Sequence, residues 1–466
     1  MVTVIHPEKS SDDFNNFIVE LMKLVCRHGI DIHVPDRDNH LSMQYFRNKV
    51  HEGWKKAQDM ACGELLKYLD EKSQILAKIK ERNRNKQKEA AKSLKDAMAV
   101  IDSRIRRIQY VFNTIPWTIF GMQDYVVRRF YRGESQNNIS RKSLGELYEV
   151  SDEFNRRESD VAIMCDLTTF MHVGDLLIVG TVDGKDRISL AEVKQGKKNS
   201  EMLNILRSYD ESGCDRFLHH ATRDFDESDR KQFIRILNQK AAMAQVQETL
   251  ETDKGVDLST GQPIRLSGDG KYVPSTYCEK INEAYETLNQ DQEWAIGDVD
   301  GCLFFGMYKG KMLPAGRFMF DSWMDISEIK GPIVSYASSF YTDTARPILT
   351  QPISGDLIDD LLTGKIVIYI CVDFSKLVHE CSKVGVPARL ASKKDSAKMY
   401  AKSQQGVMYD GQMITVGSDD GAMFLGGGAF HRMVYNFNMP IDLLRTFAAD
   451  AAKFAEHESD AEPEIK

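Results

Sequence analysis

Apolar residues recur at helical spacing between Leu41 and Phe112, a region that contains no proline. One apolar position every third or fourth residue is typical of a helix with a single buried face. The members of this repeat are Phe46, Val50, Trp54, Leu65, Leu69, Leu76, Ile79, Leu94, Met98, Ile101, Ile105 and Ile108. The repeat is interrupted around Asn83 and Asn85, and asparagine favours a break in a helix. The pattern therefore predicts two long helices that fold back on each other as an antiparallel hairpin.

The interruption is also strongly basic. Between residues 78 and 92 only two acids, Glu81 and Glu89, accompany seven cations, which are Lys78, Lys80, Arg82, Arg84, Lys86, Lys88 and Lys92. A charge run of this kind is typical of a solvated helix surface, and it would equally suit contact with phosphates. Arg128 and Arg129, interleaved with aromatic residues, are further candidates for nucleic-acid binding, although aromatic residues at helical spacing more often belong to a core.

After a turn-rich segment at 132–140 the periodicity changes from helical to strand-like. Three short runs rich in Val, Ile and Leu follow in "DVAIMCDLTTFMHV", "GDLLIVGTV" and "DRISLAEVK". An Asp-Gly pair between the last two runs is a strong signal for a β-hairpin. Helical patterns return in "SEMLNILRSY" and "SDRKQFIRILNQKAAMAQVQETLE". The alternation predicts an α/β or α+β fold in which helices flank a small mixed β-sheet.

These changes of pattern divide the chain into segments. We expect an N-terminal segment (1–40), a helical hairpin domain (41–133), a strand-containing core (140–311), a C-terminal α/β region (312–455) and a disordered acidic tail (456–466). In the C-terminal region "GAMFLGGGAFHRMVYNF" is interpreted as a strand with a tight glycine connection. It lacks the spacing of a phosphate-binding glycine loop.

Composition narrows the class of protein. The chain has 466 residues, 42% hydrophobic and 28% charged, with a net charge of -8, which argues against a protein that coats nucleic acid with its whole surface. No apolar run approaches the roughly 20 residues that cross a bilayer, and the N-terminus lacks the pattern of a secretory signal. The eight cysteines form no C-x-x-C pair. These features predict a protein of the reducing cytoplasm, without membrane partners.

The candidate chemistry lies in the stretch "GDLLIVGTVDGKDRISLAEVKQGKKN". Side chains two apart on a strand share a face, so Glu192 and Lys194 point the same way. Antiparallel pairing across the Asp-Gly turn would bring Asp175 beside them. Two carboxylates, with the backbone carbonyl of Val193, could bind Mg²⁺ or Mn²⁺, and a nearby lysine suits hydrolysis of a phosphodiester. Charged residues at strand ends can also serve only to prevent aggregation, so this alternative stays open.

These residues resemble the PD-(D/E)XK nuclease superfamily over roughly Ser140 to Lys311. The acid on the family's second strand matches Asp175, and the E-x-K on its third strand matches Glu192, Val193 and Lys194. Glycine replaces the proline of the motif here. The resemblance implies a restriction-endonuclease-like core, in which a helix is followed by three strands, a helix and a fourth strand.

The resemblance also implies further site residues. Members of the family often carry one more acid on the preceding helix, for which Glu149 is the first candidate and Glu146 the next. Lys197 and Lys198 could hold a phosphate, and Gln239 on the later helix could reach the site. Spacing alone does not choose among the acids of "SLGELYEVSDEFNRRESD".

The function implied is that of a metal-dependent DNA endonuclease, with a role in restriction or antiviral defence. A homo-oligomer is expected because cutting both strands of a duplex commonly takes two symmetric sites. The hairpin could contact DNA or a partner subunit. Three alternatives remain: a nuclease-like fold without activity, an unrelated fold, and a non-catalytic scaffold that binds nucleic acid or a partner protein.

Overall fold

The computed structural model describes residues 12–131, 139–182, 185–194, 197–252, 254–256, 263–265, 275–403, 406–417 and 423–459. Within these ranges only the backbone is described at 181–182, 185–186, 263–265, 402–403 and 450–459. The described residues form two compact units. One lies within Glu20–Ser267 and the other within Met1–Val19 and Gly268–Lys466.

Helices dominate the first part of the chain. They are α1 (Asp12–Met22), α2 (His28–Ile32), α3 (His40–Arg84), α4 (Lys88–Ile119), α5 (Asp124–Val127), α6 (Arg141–Asn155), α7 (Lys197–Ser212), α8 (Asp215–Ala221) and α9 (Glu227–Thr252). The later helices are α10 (Cys278–Glu286), α11 (Gly316–Ile326), α12 (Gly355–Leu362), α13 (Phe374–Lys383), α14 (Lys393–Ser403), α15 (Gly427–Tyr435) and α16 (Pro440–Ser459). Among the described helices, none combines the length and hydropathy needed to span a bilayer.

The strands are short and pair only with antiparallel neighbours in the described ranges. They are β1 (Val161–Met164), β2 (Leu176–Val182), β3 (Lys185–Ala191), β4 (Lys254–Val256), β5 (Pro263–Arg265) and β6 (Trp294–Val299). The remaining strands are β7 (Leu303–Lys309), β8 (Ile333–Ser335), β9 (Ile366–Val372), β10 (Ala388–Leu390), β11 (Ile414–Val416) and β12 (Met423–Phe424). The protein is therefore α+β.

The predicted helical hairpin is present as α3 and α4. The Asn39 side chain caps the start of α3 by accepting hydrogen bonds from the first backbone N–H groups. Lys72 forms an ion pair with Asp102 at 2.6 Å, and Arg104 lies over the ring of Tyr68 at 5.9 Å. Both contacts join residues at nearly equal distances from the break between the helices. The two helices therefore run antiparallel, as their apolar pattern predicts.

The core of the first unit holds the three-stranded sheet β1-β2-β3. The register places Leu176 opposite Ala191 and Val182 opposite Lys185, so two residues separate β2 from β3. This matches the predicted hairpin, although the Asp-Gly turn itself lies outside the described residues. The expected mixed sheet is not found within the described residues, where this sheet is antiparallel throughout. The short connections between these strands make neighbours antiparallel, and α7 leads to α8 and α9 rather than back to a described parallel strand of this sheet.

Side-chain amides satisfy the outer edge of β1. Gln58 of α3, which is 1% exposed, accepts a hydrogen bond from the Met164 N–H at 2.9 Å and donates to the Ala162 carbonyl at 3.2 Å. Asn155 of α6 accepts from the Ala162 N–H at 2.7 Å and donates to the same carbonyl. An edge strand normally leaves such groups unpaired. Here α3 and α6 take the place of a fourth strand.

Two amides of α4 hold the loop that follows β1. Gln109 donates to the carbonyls of Asp166 and Thr168 at 3.1 and 3.3 Å. Asn113 donates to the Thr169 hydroxyl and accepts from the Thr169 N–H, both at 2.8 Å. The helical hairpin and the sheet thus share hydrogen bonds as well as a core, which is why they belong to one unit.

The second unit is built on the sheet β6-β7-β9-β8. Phe320 and Met324 of α11 pack on this sheet against Phe304, Tyr308 and Tyr369. The strands β6 and β7 fall within the segment 140–311, which the sequence predicts as one core. However, β6 pairs with β7 and β7 pairs with β9, so both strands belong to this second sheet. Separate short strands, β10, β11 and β12, form another antiparallel sheet.

The structure differs from the sequence-based expectations at two further places, α15 and the C-terminal end of α16. The glycine-rich stretch after β12, expected to be a strand, forms α15, because Gly426 precedes a run whose buried positions recur at helical spacing. The expected acidic tail at 456–466 overlaps α16, which continues to Ser459. Residues 460–466, like 1–11 and 132–138, lie outside the described part of the chain.

We expect Gln58→Ala to destabilise the first unit by about 1–3 kcal/mol, because it leaves the buried Met164 N–H without a partner and removes one of the two donors to the Ala162 carbonyl. The free energy of unfolding, measured with urea, checks this. Gln74→Ala removes an exposed glutamine from the same helix and is the matched control. Equal stabilities of the two variants would contradict the role given to Gln58.

Candidate active site

The candidate site lies where the β2-β3 hairpin opens. The Asp175 N–H donates to the Ala191 carbonyl at 2.8 Å, and the Asp175 carbonyl accepts from the Cys165 N–H at 2.9 Å. Asp175 is therefore held on both sides by backbone hydrogen bonds at the entry to β2. Its Oδ2 accepts a further hydrogen bond, at 2.7 Å, from the Val193 N–H. This bond ties the first acid directly to the Glu-Val-Lys segment.

The Glu-Val-Lys segment follows β3, which ends at Ala191. The Lys194 Nζ lies 2.5 Å from the Glu192 Oε1. The two side chains are only 10% and 15% exposed, respectively. The alternation expected for an extended chain thus places Glu192 and Lys194 on one side. The structure brings Asp175, Glu192 and Lys194 together at the same end of the hairpin.

A third acid in this cluster, Asp166, was not among the sequence-based candidates. It lies in the short 3₁₀ turn after β1, whose backbone is held by Gln109. A hydrogen bond from the Ser143 side chain reaches its carboxylate, and the negative charge of Glu192 acts on it. The only signal for Asp166 in the sequence is its position directly after an apolar strand. This pattern is too common to single the residue out.

The acids repel one another. Burial and, next, the charge of Glu192 raise the pKa of Asp175 to about 6, against the lowering effect of the Val193 N–H and Lys194. Burial, followed by the charge of Glu192, also raises the pKa of Asp166 above its usual value, and the Ser143 hydrogen bond opposes this. Such repulsion marks a place where a cation would be favourable.

The acids proposed on α6 differ in position. Ser143 is the residue of α6 that reaches Asp166. Glu149 is exposed and lies six residues from Ser143, so it projects from a different side of the helix. Glu146 is one turn from Ser143 on the same side, and it forms an ion pair with Lys142 at 3.6 Å. Glu146 rather than Glu149 therefore shares the side of α6 from which Ser143 reaches Asp166.

The predicted phosphate-binding residues lie at the start of α7 and after α5. Lys197 and Lys198 are exposed, and Lys198 pairs with Asp229. Arg128 and Arg129 are half-buried, and the Arg129 Nε donates to the Tyr125 carbonyl at 3.0 Å. The lysines are thus the more accessible of the four.

Gln239, the candidate from the later helix, is on α9, which packs against β3. Its Oε1 is buried and has no hydrogen-bond partner within the described residues. A buried carbonyl oxygen without a donor is a costly arrangement, which a ligand or a water molecule would relieve.

The chemistry of these residues fits a hard divalent cation. Within the described ranges, no three His, Cys, Asp or Glu side chains converge closely enough to make a complete set of ligands. Mg²⁺ does not need one, because it keeps waters and substrate oxygens and takes one or two protein carboxylates. Asp175 and Glu192 supply two carboxylates whose charges already repel. Lys194 competes for the Glu192 oxygen.

Comparisons with protein-family models, with curated proteins and with solved structures gave no match to this chain.

We expect Asp175→Asn to stabilise the metal-free protein above neutral pH. Folding raises the pKa of Asp175 to about 6, so its ionised carboxylate opposes folding, most strongly above that pH. This penalty is lost as the pH falls from about 6 towards the ordinary pKa of an aspartate, because the carboxylate becomes protonated. The asparagine variant should gain about 1–3 kcal/mol near pH 8 and markedly less near pH 5. Thermal unfolding in EDTA at both pH values measures the gain.

The matched control is Glu153→Gln, which removes an exposed carboxylate from α6. Its effect on stability should be small at both pH values. A gain in Asp175→Asn that is constant with pH, or that grows on acidification, would contradict the electrostatic explanation.

Proposed function

We propose that the protein is a metal-dependent nuclease that hydrolyses phosphodiester bonds in DNA. The observation that carries the proposal is the arrangement at the open end of the hairpin. There the Asp175 carboxylate binds the backbone of the same Glu-Val-Lys segment in which Glu192 and Lys194 are paired. The order and spacing of these three residues resemble those of the PD-(D/E)XK nucleases.

The two acids have the first role. Asp175 and Glu192 would hold Mg²⁺ or Mn²⁺, with the Val193 carbonyl as a further oxygen. Such a metal neutralises charge that develops on the phosphate and lowers the pKa of water. Asp175 is suited to this role because its carboxylate is positioned by the Val193 N–H. Asp166 adds a third negative charge beside them.

Lys194 has a different role. Its ammonium is largely buried and paired with Glu192, so it occupies a defined position rather than moving freely in solvent. A buried cation beside a reacting phosphate can orient the attacking water or stabilise negative charge in the transition state. Its contact with the Glu192 Oε1 places the ammonium beside the acids that would hold the metal.

DNA is the proposed substrate, with Lys197 and Lys198 as the accessible phosphate contacts and Arg128 and Arg129 as secondary candidates. A homo-oligomer, a cytoplasmic location and a role in restriction or antiviral defence are parts of the same proposal. They rest on the resemblance and on the need for two sites to cut both strands of a duplex.

A second candidate function is binding without cleavage. The observation that favours it is the exposed basic end of the helical hairpin, where seven cations lie among exposed residues. A scaffold of this kind would bind nucleic acid or an acidic partner while the sheet served only as a platform. Activity measurements separate the two candidates.

We expect purified protein to nick supercoiled plasmid with Mg²⁺ or Mn²⁺ and to stop in EDTA. Glu192→Gln and Lys194→Met should each lower the rate by about 100-fold or more, since each removes a group that acts on the reacting phosphate. Gel electrophoresis of plasmid over time measures the rate.

Glu227→Gln and Lys231→Met form the matched control, because they dismantle an exposed carboxylate-lysine pair elsewhere in the same unit. These variants should cleave as the parent does. Cleavage that persists in both site variants, with folding verified by circular dichroism, would refute the site. A parent protein inactive with either metal on both DNA and RNA would favour the scaffold.

We further expect Asp166→Asn to raise the Mg²⁺ concentration needed for half-maximal cleavage by about 10–100-fold, because it removes one charge of the acidic cluster. Glu149→Gln should change it less than about twofold, since Glu149 is exposed and turned away. Metal titrations of the initial rate measure both. The reverse ranking would restore Glu149 as the third acid.

A further inference from the structure

The end of the helical hairpin, residues 78–92, is the most basic surface segment of the first unit, and we name it the hairpin tip. All seven of its cations are exposed. Its buried residues are Ile79 of α3 and Ala91 of α4. No ion pair involves these cations in the described part of the chain; Arg82 donates instead to Gln87. The tip therefore presents unneutralised positive charge to solvent.

The spacing of the cations works against the stability of the helices. Lys78 and Arg82 are four residues apart, as are Lys80 and Arg84, and Lys88 and Lys92, so like charges repel along three rows. A face that served only for solubility would mix its charges. The tip is arranged to meet a polyanion.

The length of the hairpin also sets the distance between its tip and the acidic cluster. Gln58 on α3 holds the base of the hairpin to β1, and Gln109 on α4 donates to the carbonyl of Asp166 in the loop after β1. From Gln109 to Lys88 the helix rises 1.5 Å per residue, which places the tip roughly 30 Å from the acidic cluster. The same rise along α3 from Gln58 to Arg82 gives about 36 Å. Both helices therefore project the charge a similar distance from the site.

We infer that the hairpin tip binds the phosphate backbone of duplex DNA at a set distance from the bond that is cut. A span of about 30 Å corresponds to roughly nine base pairs at 3.4 Å each. Duplex DNA is stiff over this length, whereas a single strand is not. Only on a duplex would binding at the tip therefore set the distance along the DNA to the bond that is cut. The cutting distance rests on the proposed function, but the binding does not.

Binding is tested in EDTA with a fluorescent duplex of about three helical turns and fluorescence anisotropy. The variant Arg82→Gln, Arg84→Gln, Lys88→Gln should lose about 10-fold or more in affinity, and its salt dependence should weaken by about two to three units of slope. The control Lys231→Gln, Arg235→Gln, Lys240→Gln removes the same charge from exposed positions on α9. It should retain most of the parent's affinity and slope.

Equal losses in the two triple variants would overturn the inference, because the effect would then be one of net charge alone. Unchanged affinity in the tip variant would overturn it as well and would point to a protein partner. A single-stranded RNA of the same length is measured in parallel. A stronger dependence on the tip for RNA than for duplex DNA would overturn the choice of a duplex.

The distance is tested by mapping cut positions on end-labelled duplexes in Mg²⁺ or Mn²⁺. The parent should cut poorly where fewer than about nine base pairs remain on the side that the tip occupies, and the tip variant should lose this limit. A limit shared by both proteins would overturn the distance. If the parent never cuts, the proposed function fails, while the anisotropy result still decides whether the tip binds DNA.

Discussion

The first unit depends on hydrogen bonds from four amide side chains, three buried and one half-buried, to backbone groups. Gln58 and Asn155 occupy the free edge of β1, while Gln109 and Asn113 hold the loop after it. These backbone groups lie away from water, so each would be costly without its partner. The amides therefore do more than add stability: they prescribe which face of each helix meets the sheet. The site inherits its geometry from this arrangement, since Asp166 lies in the held loop.

The acidic cluster has an energetic cost in the folded protein. Burial and the charge of Glu192 raise the pKa values of Asp175 and Asp166, and the Val193 N–H, Lys194 and the Ser143 side chain offset only part of this rise. Folding alone would not favour such a cluster, since an apolar or amide side chain would pack there without repulsion. Arrangements that cost stability and concentrate charge are commonly associated with function. The same reasoning applies to the hairpin tip, where repulsion between cations is tolerated at an exposed end.

Several elements could be predicted because their signals are local. The helical hairpin follows from an apolar repeat and its interruption, and the β2-β3 hairpin from two apolar runs and an Asp-Gly pair. Other elements could not. The strands β6 and β7 join β9 through pairing over more than fifty residues, which periodicity does not encode. The stretch that forms α15 combines glycines with apolar residues, a composition that does not indicate a helix. Its helical character is seen in the spacing of its buried residues.

The sequence by itself determined that Asp175, Glu192 and Lys194 would meet, because one hairpin and the two-residue alternation of strands suffice to bring them together. Only the tertiary structure decided the rest of the site. Asp166 comes beside Glu192 because α4, more than fifty residues earlier in the chain, holds its loop, while Glu149 lies on a different side of α6 from Ser143. Contacts within one hairpin depend on residues that are close in the sequence. The contacts that complete the site come from distant amides, whose partners depend on how the helices pack.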